Sequence, residues 1–494
     1  MNRVGLFVVV LSVFQWVEGT APYFILGCAA FIFIATFAFN TAGGLSRASG
    51  AYVFAYSLLV VIVGICYKAL LREPGQSNLQ SPALDIEVYV GGITVMLAAV
   101  IVSRRFSRKT GLLQHMLKES EMYRSSVGCI AFGAAGDFLV ALMGNTQLIT
   151  AFGQLNQLIP LGVILGVMYE IRRSGGTRSV NIPILLGGGY TFLLGMCGFS
   201  KQGMLTPLLC WVLPVAALRY RVSVVQILGG MVTLFLIFYY LVPFAQYGRN
   251  LVPQEATLSQ RIAIAIPLLE NANETRQLYL EGIRWQEEEA VWGGYYNKPQ
   301  GFWDRLQFVS VDDSLIDFTQ RADRVVGPGP IIESFVNSVP RFLWPNKPPP
   351  KFSGNFYAHE MGQLSADDTT TGISFSPTGE AFHIAKWVGV LVVAPLLWFL
   401  LFLVFDSLFG DIRATPWGLL AMVLISHTAP EGGLSGMIHL LTFGAEILTF
   451  CAIFATWVAP ICAAPILGPG RRNTIPWLSF RNNLATSGVA DEHA

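Results

Sequence analysis

Two short segments of this chain combine ionisable and aromatic side chains at spacings that could do chemistry. The first is Val339-Pro340-Arg341-Phe342-Leu343-Trp344-Pro345-Asn346-Lys347-Pro348. Prolines before Arg341 and after Trp344 restrict the backbone, so two cations and an aromatic sit in a rigid frame. A guanidinium grips phosphate or pyrophosphate bidentately and an ammonium adds a point charge. An indole face stacks on a sugar ring. The same residues equally suit a loop resting on a membrane interface, where Trp and Arg are common. The second is Thr371-Gly372-Ile373-Ser374-Phe375-Ser376-Pro377-Thr378-Gly379-Glu380-Ala381-Phe382-His383. Its carboxylate and imidazole are three residues apart, on one helical face, and either suits a general base. A polar helix entry with an interfacial His fits as well.

Three smaller features stand beside these. In Ser426-His427-Thr428-Ala429-Pro430-Glu431 an ionisable pair interrupts an apolar region. Such groups at membrane depth point to function by default, although His427 and Glu431 also suit the cap of a re-entrant turn. Lys201, in Ser200-Lys201-Gln202-Gly203, is either a substrate contact or a snorkelling lysine. Asp137 lies within an apolar run, and Asn273-Glu274-Thr275 matches a glycosylation acceptor. The sequence contains no HExxH, P-loop, DxD or Cys/His cluster, so neither a metal nor a cofactor is expected.

The elements that must position these residues are transmembrane helices. Of the 494 residues 53% are hydrophobic and only 13% charged, about half the charged share of a soluble domain. The apolar residues fall into runs long enough to cross a bilayer core of about 30 Å. Spans are expected near 4–14, 21–43, 50–70, 88–103, 126–143, 146–171, 180–199, 203–219 and 223–244, then 384–406, 415–429 and 437–460. The expected fold is an all-α polytopic membrane protein of about 12 transmembrane helices. Residues 1–244 form an N-terminal block of about nine, 384–465 a C-terminal block of about three, and 466–494 a tail. The seven Cys lie in apolar runs and read as small hydrophobes. A net charge of +1 gives no reason to expect nucleic acid.

Lys and Arg in the short loops set the orientation. One set of alternate loops holds seventeen, among them Arg47, Arg104, Arg105, Arg108, Arg172, Arg173 and Arg413; the opposite short loops hold Lys68, Arg72 and Lys201. Both termini are therefore expected in the cytoplasm and residues 245–383 outside. That segment carries 28 of the chain's 63 charged residues. It is too long and too polar for a passive connection, which makes it the expected seat of the chemistry. Helical spacing of Leu258, Ile262, Ile266 and Leu269 predicts a helix over 257–292. A lid packed over the outer surface is the expected arrangement.

The element Val339–Pro348, the Pro377-Thr378-Gly379-Glu380-Ala381-Phe382 element some thirty residues later, the Ser200–Gly203 turn and the layout of spans around one large loop resemble the Wzy-type oligosaccharide repeat-unit polymerases. The repeated Arg-x10-Gly pattern of some members is not found here. The resemblance implies a GT-C-like fold in the bacterial inner membrane. It implies an undecaprenyl-pyrophosphate-linked glycan as donor and a lipid-linked repeat unit as acceptor, joined without a metal. Glu380, His383, His427 and Glu431 become candidate catalytic groups, with Glu380 favoured. Arg341, Lys347, Trp344, Lys201, Arg284 and Arg324 become candidate substrate contacts. Partners would be membrane lipids, a flippase and a chain-length regulator of the same pathway. Two alternatives stay open: an O-antigen ligase or other lipid-linked glycosyltransferase, and a transporter or flippase, for which broken helices or paired midplane charges would be expected.

Overall fold

The computed structural model describes residues 2–143, 157–253, 256–289, 294–298, 303–339, 343–349, 351–352, 355–365 and 372–468. Arg341 of the first motif and Thr371 of the second therefore lie outside the described residues, as does nearly all of the tail. Every regular element described is helical. In chain order the helices are α1 (Asn2–Val17), α2 (Pro22–Ala42), α3 (Ala48–Leu71), α4 (Pro82–Phe106), α5 (Met122–Met143), α6 (Leu158–Arg173), α7 (Ile182–Cys197), α8 (Lys201–Ala217) and α9 (Val224–Leu251), followed by α10 (Leu258–Glu270), α11 (Ala272–Glu289), α12 (Val309–Arg321), α13 (Gly329–Ser338) and α14 (Phe356–Glu360), then α15 (Pro377–Phe409), α16 (Pro416–Glu431) and α17 (Gly433–Leu467).

The protein is a helical membrane protein. Helices α2, α3, α4, α9, α15 and α17 are long and apolar enough to cross a bilayer. Each of the twelve segments expected to cross overlaps a described helix, although 146–156 of the sixth lies outside the described residues, and the other six helices do not meet that measure. Helices α1, α6, α7 and α16 have only 16 residues each, and α8 is interrupted by Pro207 and Pro214.

The chain divides into two compact units. One comprises 115–276, 413–420 and 447–494. In it the α17 backbone at Ala459 approaches α5 where Gly128 has no side chain, and Phe199, Met204, Phe244, Ala245 and Ala265 form a core. Lys201 is the first residue of α8, behind the N-cap Ser200, whose hydroxyl accepts the Gly203 N–H at 3.1 Å.

The other unit comprises 1–114, 277–412 and 421–446 and holds most of the candidate chemistry. Helices α2, α3, α4 and α15 pack through buried aromatics, with Tyr56 against Phe31 and Trp398. At one end of this bundle the buried Asp406 accepts the Ser49 N–H (3.1 Å) and hydroxyl (2.7 Å). Arg47 there binds the carbonyls of Arg108 and Lys109. At the opposite end, which bears the 72–81 connection, Lys68 is fully buried in α3. Its ammonium pairs with Glu73 at 2.8 Å, donates to Ser77 at 2.7 Å and lies 4.7 Å from the Tyr295 ring centre. This residue is thus a packed ion-pair partner and not the loop cation expected from its position.

Helix α15 is broken. Ala385 and Lys386 leave helical geometry, with Lys386 at φ 47°. Residues 387–409 run on as an apolar helix of about 34 Å at 1.5 Å per residue, enough for one crossing. Residues 377–384 instead fold back beside its start. A side chain on Gly389 would meet the Ala381 carbonyl oxygen at 1.8 Å, an approach only glycine permits. Two carbonyls at the break are taken up by the chain at 326–327: the Val326 N–H donates to His383 O (3.3 Å) and the Gly327 N–H to Ile384 O (3.1 Å).

The folded-back arm starts deep in the bundle. Thr378 lies against Gly92, about 15 Å along α4 from Pro82, and its hydroxyl bonds to that of Tyr56. The start of α12 reaches a similar depth, because the Phe308 N–H donates at 3.4 Å to the carbonyl of Val60, within a π-helical turn of α3. That turn leaves a carbonyl available to an outside donor. Two pieces of the expected surface lid, 309–321 and 377–384, therefore pack among the spans. The expectation followed from their polarity, and their buried donors and acceptors explain the difference.

Candidate functional site

The site is assembled on residues 377–384, every one of which is buried. Ser376 caps this arm: its hydroxyl accepts the Gly379 N–H at 3.2 Å. The Ser376 N–H in turn donates to Asp312 Oδ1 of α12 at 2.9 Å, and the Tyr89 hydroxyl of α4 donates to Asp312 Oδ2 at 2.9 Å. A Cβ on Gly379 would stand 2.5 Å from the Asp312 carboxyl, so the two helix starts meet at this acid. Burial pushes the Asp312 carboxyl up to about 6, against the opposing pull of the Ser376 and Tyr89 hydrogen bonds. Its neighbour Asp313 is also raised by burial, although it accepts the N–H groups of Gln80 and Ser81.

Glu380 and His383 share the arm, as their spacing predicts, but have separate partners. Glu380 Oε1 accepts the Tyr357 hydroxyl at 2.9 Å, and Oε2 accepts the Leu434 N–H at 2.5 Å. The carboxylate therefore ties the start of α17 to α14. Burial and the adjoining Glu380 carboxylate raise the Tyr357 hydroxyl well above the usual tyrosine range. The Tyr357 ring also stands edge-on to His383, with centroids 5.1 Å apart.

His383 is fully buried. Its Nδ1 lies 2.7 Å from Thr319 Oγ1, and that hydroxyl donates its proton to Leu315 O at 2.6 Å. Thr319 is left as the acceptor, so Nδ1 carries the ring proton. Nε2 faces Glu360 Oε2 at 3.4 Å, and Glu360 Oε1 receives Arg324 Nε at 3.0 Å. The Arg324 side chain is 65% exposed, that of Glu360 7% and that of His383 0%. The row therefore runs from the surface to a buried imidazole.

The remaining sequence candidates are distributed differently. Lys347 donates to Asn337 O at 3.1 Å and Val339 O at 2.9 Å, closing the carbonyl end of α13, a common role for lysine. Trp344 is exposed beside it. Serines hold α13 to α17, Ser334 to Ser435 and Ser338 to Thr442, each at 2.9 Å. His427 and Glu431 pair with each other on successive turns of α16 and are part-exposed. Arg284 is on α11, but its side chain lies outside the described residues. A shallow cleft between α1, α2 and α3 is lined by residues such as Leu11, Phe24 and Ile65. Its lining includes no Asp, Glu, Lys, Arg or His, so it adds nothing to this chemistry.

Sequence reasoning missed Asp312, Thr319, Tyr357 and Glu360. Two signals were available. Asp312, Asp313 and Asp317 alternate with Val309, Leu315 and Ile316 in a way that leaves no purely polar face, and Tyr357 and Glu360 are three residues apart on one helical face.

In comparison with known proteins, no family model, no curated protein and no solved structure matches this chain.

Proposed function

We propose that this chain joins lipid-linked oligosaccharide repeat units, as a polymerase acting on undecaprenyl-pyrophosphate-linked glycans at the outer face of a bacterial inner membrane. In this reading twelve helices cross, both termini are cytoplasmic, and the end of the bundle bearing the 72–81 connection faces outward. One observation carries it: the row Arg324–Glu360–His383 joins an exposed guanidinium to a buried acid–base pair at a helix break between spans. A guanidinium there suits a pyrophosphate, and the pair behind it suits removal of a hydroxyl proton. The motif resemblance supplies the substrate class. The acceptor hydroxyl oxygen attacks the donor's anomeric carbon, the bond from that carbon to the pyrophosphate oxygen breaks, and the lipid pyrophosphate leaves with its electrons.

The test is direct. Purified protein in detergent is given undecaprenyl-pyrophosphate-linked repeat units extracted from the producing cell, and products are resolved by size. A ladder of lipid-linked multimers is expected. Transfer only to a lipid A–core acceptor would favour the ligase reading, and no product with either acceptor would reject both. The break in α15 is a feature a transporter would share. Here, however, the His383 and Ile384 carbonyls at the break accept N–H groups from 326–327, which favours a structural break over an open ion site.

A further inference from the structure

We infer that Glu360 is the group that takes the proton from the attacking acceptor hydroxyl, with His383 behind it as a positioning residue. The inference rests on the polymerase reading for its substrate, and on hydrogen-bond geometry for its chemistry.

The argument begins at Thr319. Its single proton goes to Leu315 O, so the hydroxyl accepts from His383 Nδ1–H. That fixes the tautomer, and in the neutral ring Nε2 is an acceptor. Opposite it stands a carboxylate oxygen, also an acceptor. Two acceptors facing each other at low exposure repel unless a proton lies between them. Left without that proton at rest, Glu360 and His383 gain by taking one up between them, which makes the pair a base.

Access decides which member meets substrate. The His383 ring is enclosed by Tyr357, Phe318 and Thr319, and its side chain has no exposed surface. Glu360 keeps 7% of its side-chain surface and pairs with the exposed Arg324. A hydroxyl arriving beside a pyrophosphate held by Arg324 reaches Glu360 first. As the new glycosidic bond forms, the hydroxyl O–H bond breaks and its proton passes to Glu360. Nε2 stabilises the proton there until it leaves for the departing pyrophosphate or water. Glu380 is held instead by the Tyr357 hydroxyl and the Leu434 N–H, and among the described residues no Arg or Lys pairs with it to bring a pyrophosphate alongside.

Glu360→Gln, His383→Asn and Arg324→Lys are compared with wild type for polymer formation from the extracted repeat units, across pH 5–9. Glu360→Gln is expected to lower kcat at least 100-fold with KM within about threefold, since one general base contributes typically 10²–10⁴-fold. Arg324→Lys should act mainly on KM. Turnover of Glu360→Gln within threefold of wild type would overturn the inference while leaving the polymerase reading intact. A readout independent of turnover comes from ¹⁵N-histidine spectra of the six-histidine chain. The His383 Nε2 resonance should be that of a bare acceptor nitrogen in the resting wild type, which leaves the pair free to take up a proton. An Nε2 that already carries or shares a proton at the pH of turnover would equally overturn the inference, whatever the enzyme makes.

Discussion

Replacing Asp312 by Asn should make this protein more stable at alkaline pH and less stable at acid pH. Burial raises the Asp312 carboxyl from the ordinary 3.8 to about 6. A displacement of roughly two pH units corresponds to about 3 kcal/mol. The folded chain thus binds this proton more tightly than the unfolded chain does. The favourable contribution is complete below pH 3.8 and is lost as the pH rises through about 6; above that, the buried carboxylate opposes folding. Asn has no charge to desolvate, and its amide oxygen still accepts the Ser376 N–H. It weakens the bond from Tyr89, worth about 1 kcal/mol. At pH 8 Asp312→Asn should therefore be about 2 kcal/mol more stable than wild type, and near pH 4 about 1 kcal/mol less stable. Scanning thermal unfolding of the detergent-solubilised protein at a fixed scan rate reads this as a Tm difference of a few degrees that changes sign with pH. A variant destabilised equally at both pH values would refute the reasoning, because it would show a carboxylate whose hydrogen bonds outweigh its burial.

Three further substitutions test how the site is held. Glu380→Gln presents an amide nitrogen to one of two donors, so we expect a stability loss of about 1–3 kcal/mol in urea or thermal unfolding, with turnover falling much less than in Glu360→Gln; a stable but inactive variant would move the base role to Glu380. Gly433 has φ +57°, and a side chain there would meet Glu380 Oε2 at 2.0 Å. Gly433→Ala should cost about 1–2 kcal/mol from the backbone alone and lower turnover by displacing that carboxylate; unchanged stability would contradict the geometry. Lys68→Met leaves Glu73 buried without its cation and should cost about 3–5 kcal/mol. Faster amide exchange over 294–298, whose Asn297 N–H bonds to Glu73, should accompany it, and unaltered exchange there would show that the pair does not hold that segment.

The sequence was informative where a pattern maps onto one local element. Apolar runs placed a helix at each expected span, and the Ser376-Pro377 pair announced the helix start that carries Glu380 and His383. Their shared face followed from a spacing of three. What could not be read was anything created by a chain reversal. The Ile384-Ala385-Lys386-Trp387 stretch looks like an uninterrupted span entry, because the break needs no Gly or Pro within it; Gly389, three residues on, takes the close contact instead. Glu360 and His383 are 23 residues apart, and Asp312 lies 64 from Ser376, so no periodicity links them. Lys347 illustrates the opposite error. Its Pro-rich setting suggested a displayed cation, whereas a lysine just beyond a helix end has bare carbonyls within reach.

Placing polar chemistry among spans raises a question of compensation, because a helix start leaves N–H groups that lipid cannot satisfy. Helix-start donors have protein partners here instead: at the head of the arm Ser376 Oγ accepts from Gly379 and Asp312 from Ser376, and at the start of α17 Glu380 accepts from Leu434. Neutral acceptors would meet the same need, and for Asp312 at lower free energy, since burial disfavours its charge. An ionisable residue kept where a neutral one folds better is a departure from the stability optimum of the kind expected at a working site. Besides burial, the nearby Glu380 carboxylate adds a smaller push that raises the Asp312 pKa. Asp312 accepts from the residue that caps the arm, and Glu380 near its start ties in Leu434, whereas His383 at its other end faces Glu360 of α14. The anchoring carboxylates thus lie apart from the pair whose proton must move.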